Sequence, residues 1–269
     1  MKKDQFTLWL EQHSYARGTV RNYVGAVERA DDWLRQHRGT PVERAKWEAI
    51  RDYGSTLPNT YATRSQLRNG LRSYWTYLGR QECPAWAVPC PRQPQMICRA
   101  LEEGQVEKLL ISAGELGHRE HTACLLLYYQ ALRRAETAAL PWAAFLGDGW
   151  MRIVGKGRKE ARLPVHDRVA AAVAALERRD GGAHVFAGRK VGRPVSDATV
   201  NLWVRIAGAA AGLGRVTPHM LRHTALATAN DRTGDLRSVQ TFARHSSPRT
   251  TAGYTRTTER RLRDVLNSL

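Results

Sequence analysis

The side chains that could do chemistry are mostly cations, together with imidazoles and a phenol. They fall in four short motifs of the second half of the chain: Arg133 and Glu136 in ALRRAE, Lys156 and Lys159 in GKGRK, His219, Arg222 and His223 in PHMLRH, and His245 and Tyr254 in HSSPRTTAGYTR. Arginine presents a planar fork of donors that matches phosphate oxygens, whereas a phenol can supply a nucleophilic oxygen. Imidazole and ammonium groups can transfer protons nearby. The combination suits chemistry on an anionic substrate.

Taken singly, each of these residues has an ordinary structural explanation. Arg133 could form an ion pair with Glu136, because residues three apart share one face of a helix. His219 could bond to the first turn of a helix, Lys156 could be a solvated turn residue, and Tyr254 could be a surface aromatic. The order and spacing of the whole set, rather than any one residue, therefore indicate function.

The charge of the chain favours a polyanionic partner. There are 42 Lys and Arg against 25 Asp and Glu, which gives a formal net charge of +17. Such an excess repels itself in a compact fold unless a polyanion such as nucleic acid neutralises it. A membrane surface is the rival partner, but no apolar run approaches the roughly 20 residues of a membrane-spanning helix. We expect a cytoplasmic, nucleoid-associated protein that binds DNA and no membrane.

The cysteines do not indicate a metal site. Cys83, Cys90 and Cys98 are separated by six and seven residues, and Cys124 stands alone in an apolar run. Structural zinc favours cysteine pairs two to four residues apart. We therefore expect no bound metal, and mostly buried, reduced thiols.

A proline-rich segment divides the chain. Residues 82–95, ECPAWAVPCPRQPQ, contain four prolines and little periodicity. Proline removes a backbone donor and disfavours helix in the residue before it. The segment is therefore predicted to be an extended linker between residues 1–81 and residues 96–269.

The first part of the chain has helical periodicity. Apolar residues recur near every 3.6 positions in two stretches, Val20, Val24, Val27 and Leu34, and then Leu67, Leu71, Tyr74, Trp75 and Leu78. Between these stretches, TPVE at 40–43 has the pattern of a capping box with proline at the first helical position.

Three arginines lie on the last of these predicted helices, away from its apolar stripe. Arg64, Arg68 and Arg72 are spaced by four, so they share one face. A solvated basic face is one interpretation. Because three arginines without an acid among them would repel each other, a surface that binds DNA phosphates is favoured.

The second part is predicted to be mainly helical with a small antiparallel sheet. Helical patterns occur in GQVEKLLISA, HTACLLLYYQALRRAETAAL, DRVAAAVAALERR, DATVNLWVRIAGAA and HMLRHTALATAN. The second of these is expected to form one helix that ends before Pro141. WMRIV and ARLPV flank GKGRKE and predict two strands, with Lys156 and Lys159 on the tight turn between them.

These motifs together resemble the tyrosine recombinase, or phage integrase, family. ALRRAET resembles its G-L-R-x-x-E-L segment, GKGRKEAR its G-K-G-x-K-x-R hairpin, and HMLRH its H-x-L-R-H box. ARHSSPRTTAGYT resembles its L-G-H-S-S box, in which a tyrosine follows nine residues after the histidine. SYARGTVRNYVGAVERADDWL is similar to the family's helical core-binding domain. The resemblance implies a SAM-like core-binding domain at 1–81 and an α+β catalytic domain at 96–269.

The resemblance also implies which residues act. The family's catalytic positions correspond to Arg133, Lys156, His219, Arg222, His245 and Tyr254. Opening a phosphodiester without a metal needs a nucleophile, positive charge around the phosphate oxygens and a proton for the leaving alkoxide. Tyr254 would be the nucleophile and Lys156 the acid. Glu136 and His223 would support the site, and Lys159 would contact DNA.

The activity implied is that of a site-specific recombinase of the Xer type. Such an enzyme cleaves and rejoins DNA through a 3′-phosphotyrosine and a Holliday junction, without a cofactor. Its partners would be duplex DNA with paired core half-sites and three further copies of itself, in a tetramer on synapsed DNA, while the free protein is a monomer or weak dimer. A type IB topoisomerase and a non-catalytic architectural DNA-binding protein are the alternatives.

The chain departs from the family pattern at two glycines. Ala131 replaces the glycine before Leu-Arg, and Arg244 replaces the glycine before the terminal histidine. Beyond Tyr254 one apolar stripe predicts a short helix, formed by Leu262, Val265, Leu266 and Leu269. The resemblance implies that this helix docks on a neighbouring protomer, and docking on its own domain is the alternative.

Overall fold

The computed structural model describes residues 1–93, 100–154, 160–176 and 182–244. They form two compact units, Met1–Met96 and Ile97–Leu269, and each unit has its own hydrophobic core. The described residues are mainly helical, with one two-stranded antiparallel sheet in the second unit. The predicted fold class is confirmed. No helix within these ranges has both the length and the hydropathy needed to cross a membrane.

The first unit is a small helical bundle. Its helices are α1 (Lys3–Gln12), α2 (Arg17–Arg38), α3 (Trp47–Thr56) and α4 (Tyr61–Tyr77). The apolar stripes predicted on α2 and α4 are buried, apart from the half-buried Leu78 at the end of the second stripe. Phe6 of α1 meets Tyr74 of α4 edge-on, with ring centroids 4.9 Å apart. Local periodicity therefore identified the core of this unit.

The capping box predicted at residues 40–43 is wrong. Val42–Arg44 forms only a 3-10 turn, without a side-chain cap, and the next α-helix begins at Trp47. The carboxylate of Glu43 instead accepts a hydrogen bond of 2.5 Å from the Tyr74 hydroxyl. The Glu43 side chain, which was predicted to cap a helix, thus binds Tyr74, a residue distant in sequence.

The start of the proline-rich segment is not extended, contrary to the prediction of an extended linker at 82–95. Pro84–Ala87 forms a 3-10 helix, and both Ala85 and Val88 are buried in the first unit. Val88 packs so closely on Gly54 of α3 that a Cβ at that glycine would lie 2.9 Å from a Val88 methyl group. The start of the segment therefore completes the core of the first unit.

The second unit surrounds a buried helix. Its elements are α5 (Glu103–Leu116), α6 (His118–Tyr129), α7 (Arg134–Ala138), β1 (Trp150–Val154), β2 (Glu160–Pro164), α8 (Asp167–Ala174), α9 (Asp197–Ala210), α10 (Pro218–Thr233) and α11 (Leu236–Ala243). Residues Thr122 to Leu127 of α6 are all buried, as is expected of a helix that is apolar on all sides. They include Cys124, whose thiol pKa is raised to about 12 by burial.

The predicted helix up to Pro141 is in fact two helices. α6 ends at Tyr129, and Ala131 has a φ of +43°, which no residue inside a right-handed helix adopts. The amide of Leu132 then donates to the carbonyl of Leu126, so the chain turns back before α7 begins. Ala131 and Leu132 are both fully buried, and tertiary packing overrides the helical pattern there. The break places Arg133 at the N-cap of α7.

Candidate active site

The described residues include five of the predicted site residues of the second unit: Arg133, Glu136, His219, Arg222 and His223. The other four, Lys156, Lys159, His245 and Tyr254, lie outside the described residues, as do 259–269 with the predicted terminal helix.

Arg133 and Glu136 form a tight pair at the start of α7. Arg133 Nη1 donates to Glu136 Oε1 at 2.7 Å, and the amide of Arg133 donates to Glu136 Oε2 at 2.8 Å. The second bond is half of a capping box, in which the third residue of a helix binds the amide of its N-cap. The Glu136 side chain is 10% exposed and that of Arg133 is 37% exposed. The carboxylate is thus a buried support for a partly open guanidinium.

Arg222 is buried near the start of α10. This helix begins at Pro218, and the hydroxyl of Thr217 accepts a bond from the amide of Met220. Arg222 is 3% exposed, and its two terminal nitrogens donate to the carbonyls of Ala131 and Ala243. It therefore connects the break between α6 and α7 to the last residue of α11.

The two arginines converge on consecutive carbonyls. Arg222 binds the carbonyl of Ala243, and Arg133 Nη2 donates to the carbonyl of Arg244 at 3.2 Å. Arg244 directly precedes His245 in the sequence. The structure thus brings together two arginines that are 89 positions apart, at the point where the segment with the candidate tyrosine begins.

The charges of this cluster keep Glu136 ionised. Burial alone would raise the pKa of Glu136, but the positive charge of Arg244, the amide of Arg133 and its guanidinium hold that pKa below its usual value.

His219 lies on the first turn of α10 and is exposed. The pKa of its imidazole is nevertheless lowered by partial desolvation and by the positive charge of Arg222. Its imidazole is therefore neutral at pH 7, able both to donate and to accept a hydrogen bond.

The strands β1 and β2 lie beside this cluster. Gln130, 1% exposed at the end of α6, donates to the carbonyl of Pro164 at 3.2 Å, which fixes β2 against the helix break. A cavity of about 480 Å³ lies between α7 and β1, with Arg133, Glu136 and Arg152 among its lining residues. The residues between β1 and β2, which include Lys156 and Lys159, are outside the described ranges.

Arg244 is a site residue that sequence reasoning missed. Its Nη2 donates to Glu136 Oε2 at 2.9 Å and to the Ala131 carbonyl at 3.2 Å. The ion pair is buried, with the Arg244 side chain 7% exposed. The sequence contained a signal for this residue, because an arginine stands where the resembled motif has glycine.

Arg64 and Arg68 of α4 donate to backbone carbonyls. Arg64 is buried, and it donates to the carbonyls of Leu57 at 3.0 Å and Pro89 at 2.9 Å. Arg68 donates through two nitrogens to the carbonyl of Val88. An exposed phosphate-binding face through Arg64 is therefore wrong. Residues of the proline-rich segment cover this face of α4, and their carbonyls accept hydrogen bonds from Arg64 and Arg68.

Arg72 keeps the exposed position that was predicted for it. Its guanidinium lies 5.2 Å from the ring centroid of Trp86, and that of Arg68 lies 5.3 Å from the same ring. Trp86 is 65% exposed. The exposed part of the predicted basic face is thus an arginine beside an aromatic ring.

Comparison with known proteins identifies the family. Residues 99–261 match the phage integrase family. This chain belongs to that family. It is 31% identical to tyrosine recombinase XerC of Xanthomonas axonopodis pv. citri (strain 306), an alignment that covers 90% of this chain and 84% of the relative. It is also 31% identical to tyrosine recombinase XerD of Pseudomonas putida KT2440, over 97% of this chain and 94% of the relative.

Solved structures of lambda integrase and of XerH share the fold. A lambda integrase tetramer bound to a Holliday junction matches 94% of this chain and 76% of its own with a TM-score of 0.71, at 17% identity. XerH bound to its difH substrate matches 92% of this chain and 78% of its own with a TM-score of 0.67, at 18% identity. The chain is a tyrosine-type site-specific recombinase, and the predictions of family and enzyme class are confirmed.

Proposed function

We propose that this recombinase cleaves and rejoins duplex DNA through Tyr254, by way of a 3′-phosphotyrosine and a Holliday junction. The observation that carries the proposal is the convergence of Arg133 and Arg222 on the carbonyls of Ala243 and Arg244. Two guanidiniums are held at the start of the segment that contains the tyrosine. Positive charge fixed around a phosphate is what in-line attack by a phenolate requires.

Each remaining group supplies one part of the reaction. Arg133 and Arg222 bind the nonbridging oxygens, and Glu136 orients Arg133. His219, neutral at pH 7, donates to or accepts from the same phosphate, together with His245, while His223, buried on α10, supports the site. Lys156 protonates the departing 5′ oxygen. The bond to Tyr254 conserves the energy of the phosphodiester, so the 5′ hydroxyl of a partner duplex can reverse the attack without ATP.

The DNA substrate is a duplex with paired core half-sites. The first unit serves as the core-binding domain, where Arg72 contacts phosphate, and the second unit is the catalytic domain, where Lys159 contacts DNA near the cleaved strand. Two half-sites on each of two duplexes require four protomers. Lambda integrase, which has the same fold, forms a tetramer on a Holliday junction. The same assembly on synapsed DNA is proposed for this chain, with its terminal segment docked on the next protomer.

The nucleophile can be tested with a suicide substrate that loses its 5′ end after cleavage. Wild-type protein should form a denaturation-resistant adduct with half-site DNA. Tyr254→Phe should bind the same DNA with similar affinity and form no adduct, because only the nucleophilic oxygen is removed. An adduct from the phenylalanine variant would contradict the assignment. A plasmid relaxation assay beside a two-site recombination assay distinguishes exchange from topoisomerase activity, since only a recombinase joins two sites.

A further inference from the structure

Arg244 occupies a backbone conformation that suits glycine. It follows α11 with φ 53° and ψ 43°, in the left-handed region. Residues with a Cβ are disfavoured there, and helices commonly end on glycine for this reason. The resembled motif has glycine at this position, and this chain retains arginine despite the backbone cost. The side chain is therefore expected to make a contribution that glycine could not.

The contacts of Arg244 identify that contribution. Its Nη2 binds Glu136 Oε2 at 2.9 Å, while Glu136 Oε1 accepts from Arg133 at 2.7 Å. One carboxylate is thus held between two guanidiniums. Arg244 Nη2 also binds the Ala131 carbonyl, which accepts from Arg222 as well. The side chain therefore touches a partner of each catalytic arginine.

The backbone of Arg244 belongs to the same network. Its carbonyl accepts from Arg133 Nη2, and the carbonyl of the preceding Ala243 accepts from Arg222. Arg244 thus contacts Glu136 through its side chain and Arg133 through its carbonyl. The Arg244 side chain is 7% exposed, and its Nη2 is bound to the Glu136 carboxylate.

We propose that Arg244 is a positioning residue for DNA cleavage, which fixes Arg133 and Arg222 through Glu136 and the Ala131 carbonyl. It also anchors the start of the segment that contains Tyr254. This inference rests on the proposed function. Misplacement of a reacting group by about 1 Å can cost on the order of 100-fold in rate. Loss of the Arg244 side chain should therefore slow cleavage and leave DNA affinity nearly unchanged.

The test compares Arg244→Met, Arg244→Gly and Arg244→Lys with wild type in the full chain. Adduct formation on the suicide substrate is measured in single turnover at saturating DNA, and half-site affinity by gel shift. We expect the Met and Gly variants to cleave at least about tenfold more slowly, with affinity within about twofold. The Lys variant should recover part of the rate. Arg232→Met is the matched control, because it removes an exposed arginine of the same unit that pairs with Glu103.

A double-mutant comparison separates positioning from general stability. Glu136→Gln and Arg244→Met should slow cleavage together by less than the product of their single effects, because they share one interaction. All variants are assayed well below their unfolding midpoints. Cleavage within twofold of wild type by both Arg244→Met and Arg244→Gly would overturn the inference. So would weaker DNA binding with an unchanged rate at saturation. If wild-type protein forms no adduct, the proposed function fails and this inference fails with it.

Discussion

Arginines bind backbone carbonyls in both units, but the carbonyls come from different kinds of segment. In the first unit Arg64 donates to the carbonyl of Pro89 and Arg68 to that of Val88, both in the proline-rich stretch. These bonds fasten the stretch to α4. Their effect is on the stability of one unit.

In the second unit two of the carbonyls belong to residues with strained backbone, whereas Ala243 is the last residue of α11. Arg222 donates to Ala131, which has a φ of +43°, and Arg133 donates to Arg244, which has a φ of +53°. A buried carboxylate, Glu136, is shared between two of the guanidiniums.

The difference separates arginines that stabilise one unit from arginines for which we propose a role in catalysis. Strained backbone and buried charge cost stability, and proteins retain them mostly where function requires them. The three arginines of α4 have the more regular spacing in the sequence, yet two of them secure a neighbouring segment. Regular spacing alone therefore did not distinguish the two roles.

The largest expected effect is a loss of catalysis when an arginine of the second unit is replaced. Arg222→Lys should lower the single-turnover cleavage rate on the order of 100- to 1000-fold, because one ammonium cannot reproduce a two-pronged donor at a phosphate. Half-site affinity should change little. The rate is measured as adduct formed at saturating DNA, with circular dichroism as the control for folding. A rate within tenfold of wild type would indicate that a single positive charge is enough.

The next largest effect is a loss of folding stability when a buried arginine of the first unit is replaced. Arg64→Met should lower the free energy of unfolding by about 2 kcal/mol, because it leaves two carbonyls without their donor. Urea denaturation of the full chain measures the change. Arg72→Met removes the same charge from an exposed site and should stay within about 0.5 kcal/mol of wild type. Equal losses in both variants would show that Arg64 contributes only charge.

A smaller effect should follow from the depressed pKa of Glu136. Its ionised form stabilises the folded state above the pKa of an unfolded glutamate, about 4.3, and this stabilisation is lost as the pH falls through the lower folded value. Wild type should therefore lose stability on acidification more steeply than Glu136→Gln. Denaturation midpoints across the acidic range test this. Parallel curves for the two proteins would contradict a depressed pKa.

The smallest effect should come from the exposed arginine of α4. Arg72→Met should weaken half-site binding a few-fold and reduce the slope of log affinity against log salt by about 1, as expected for one lost phosphate contact. The cleavage rate at saturating DNA should not change. A salt slope equal to that of wild type would show that Arg72 does not contact phosphate, and would leave Trp86 as its partner.

Much of the fold and part of the site could be predicted from local patterns. The apolar stripes of α2 and α4, the two strands and the helices α5, α9 and α10 occur where periodicity indicated. Arg133 and Glu136 do pair, three positions apart as expected. The roles of Lys156, Lys159, His245 and Tyr254 remain predictions, because these residues lie outside the described ranges.

The sequence by itself determined the family and the order of the elements, because motif spacing and hydrophobic periodicity are local properties of the chain. Only the tertiary structure decided that Arg64 is buried, that the helix breaks at Ala131 and that Arg244 joins Glu136. Each depends on hydrogen bonds between residues far apart in sequence, such as the 108 positions between Arg244 and Glu136. Such bonds form only after the cores have packed, when burial makes an unpaired polar group costly.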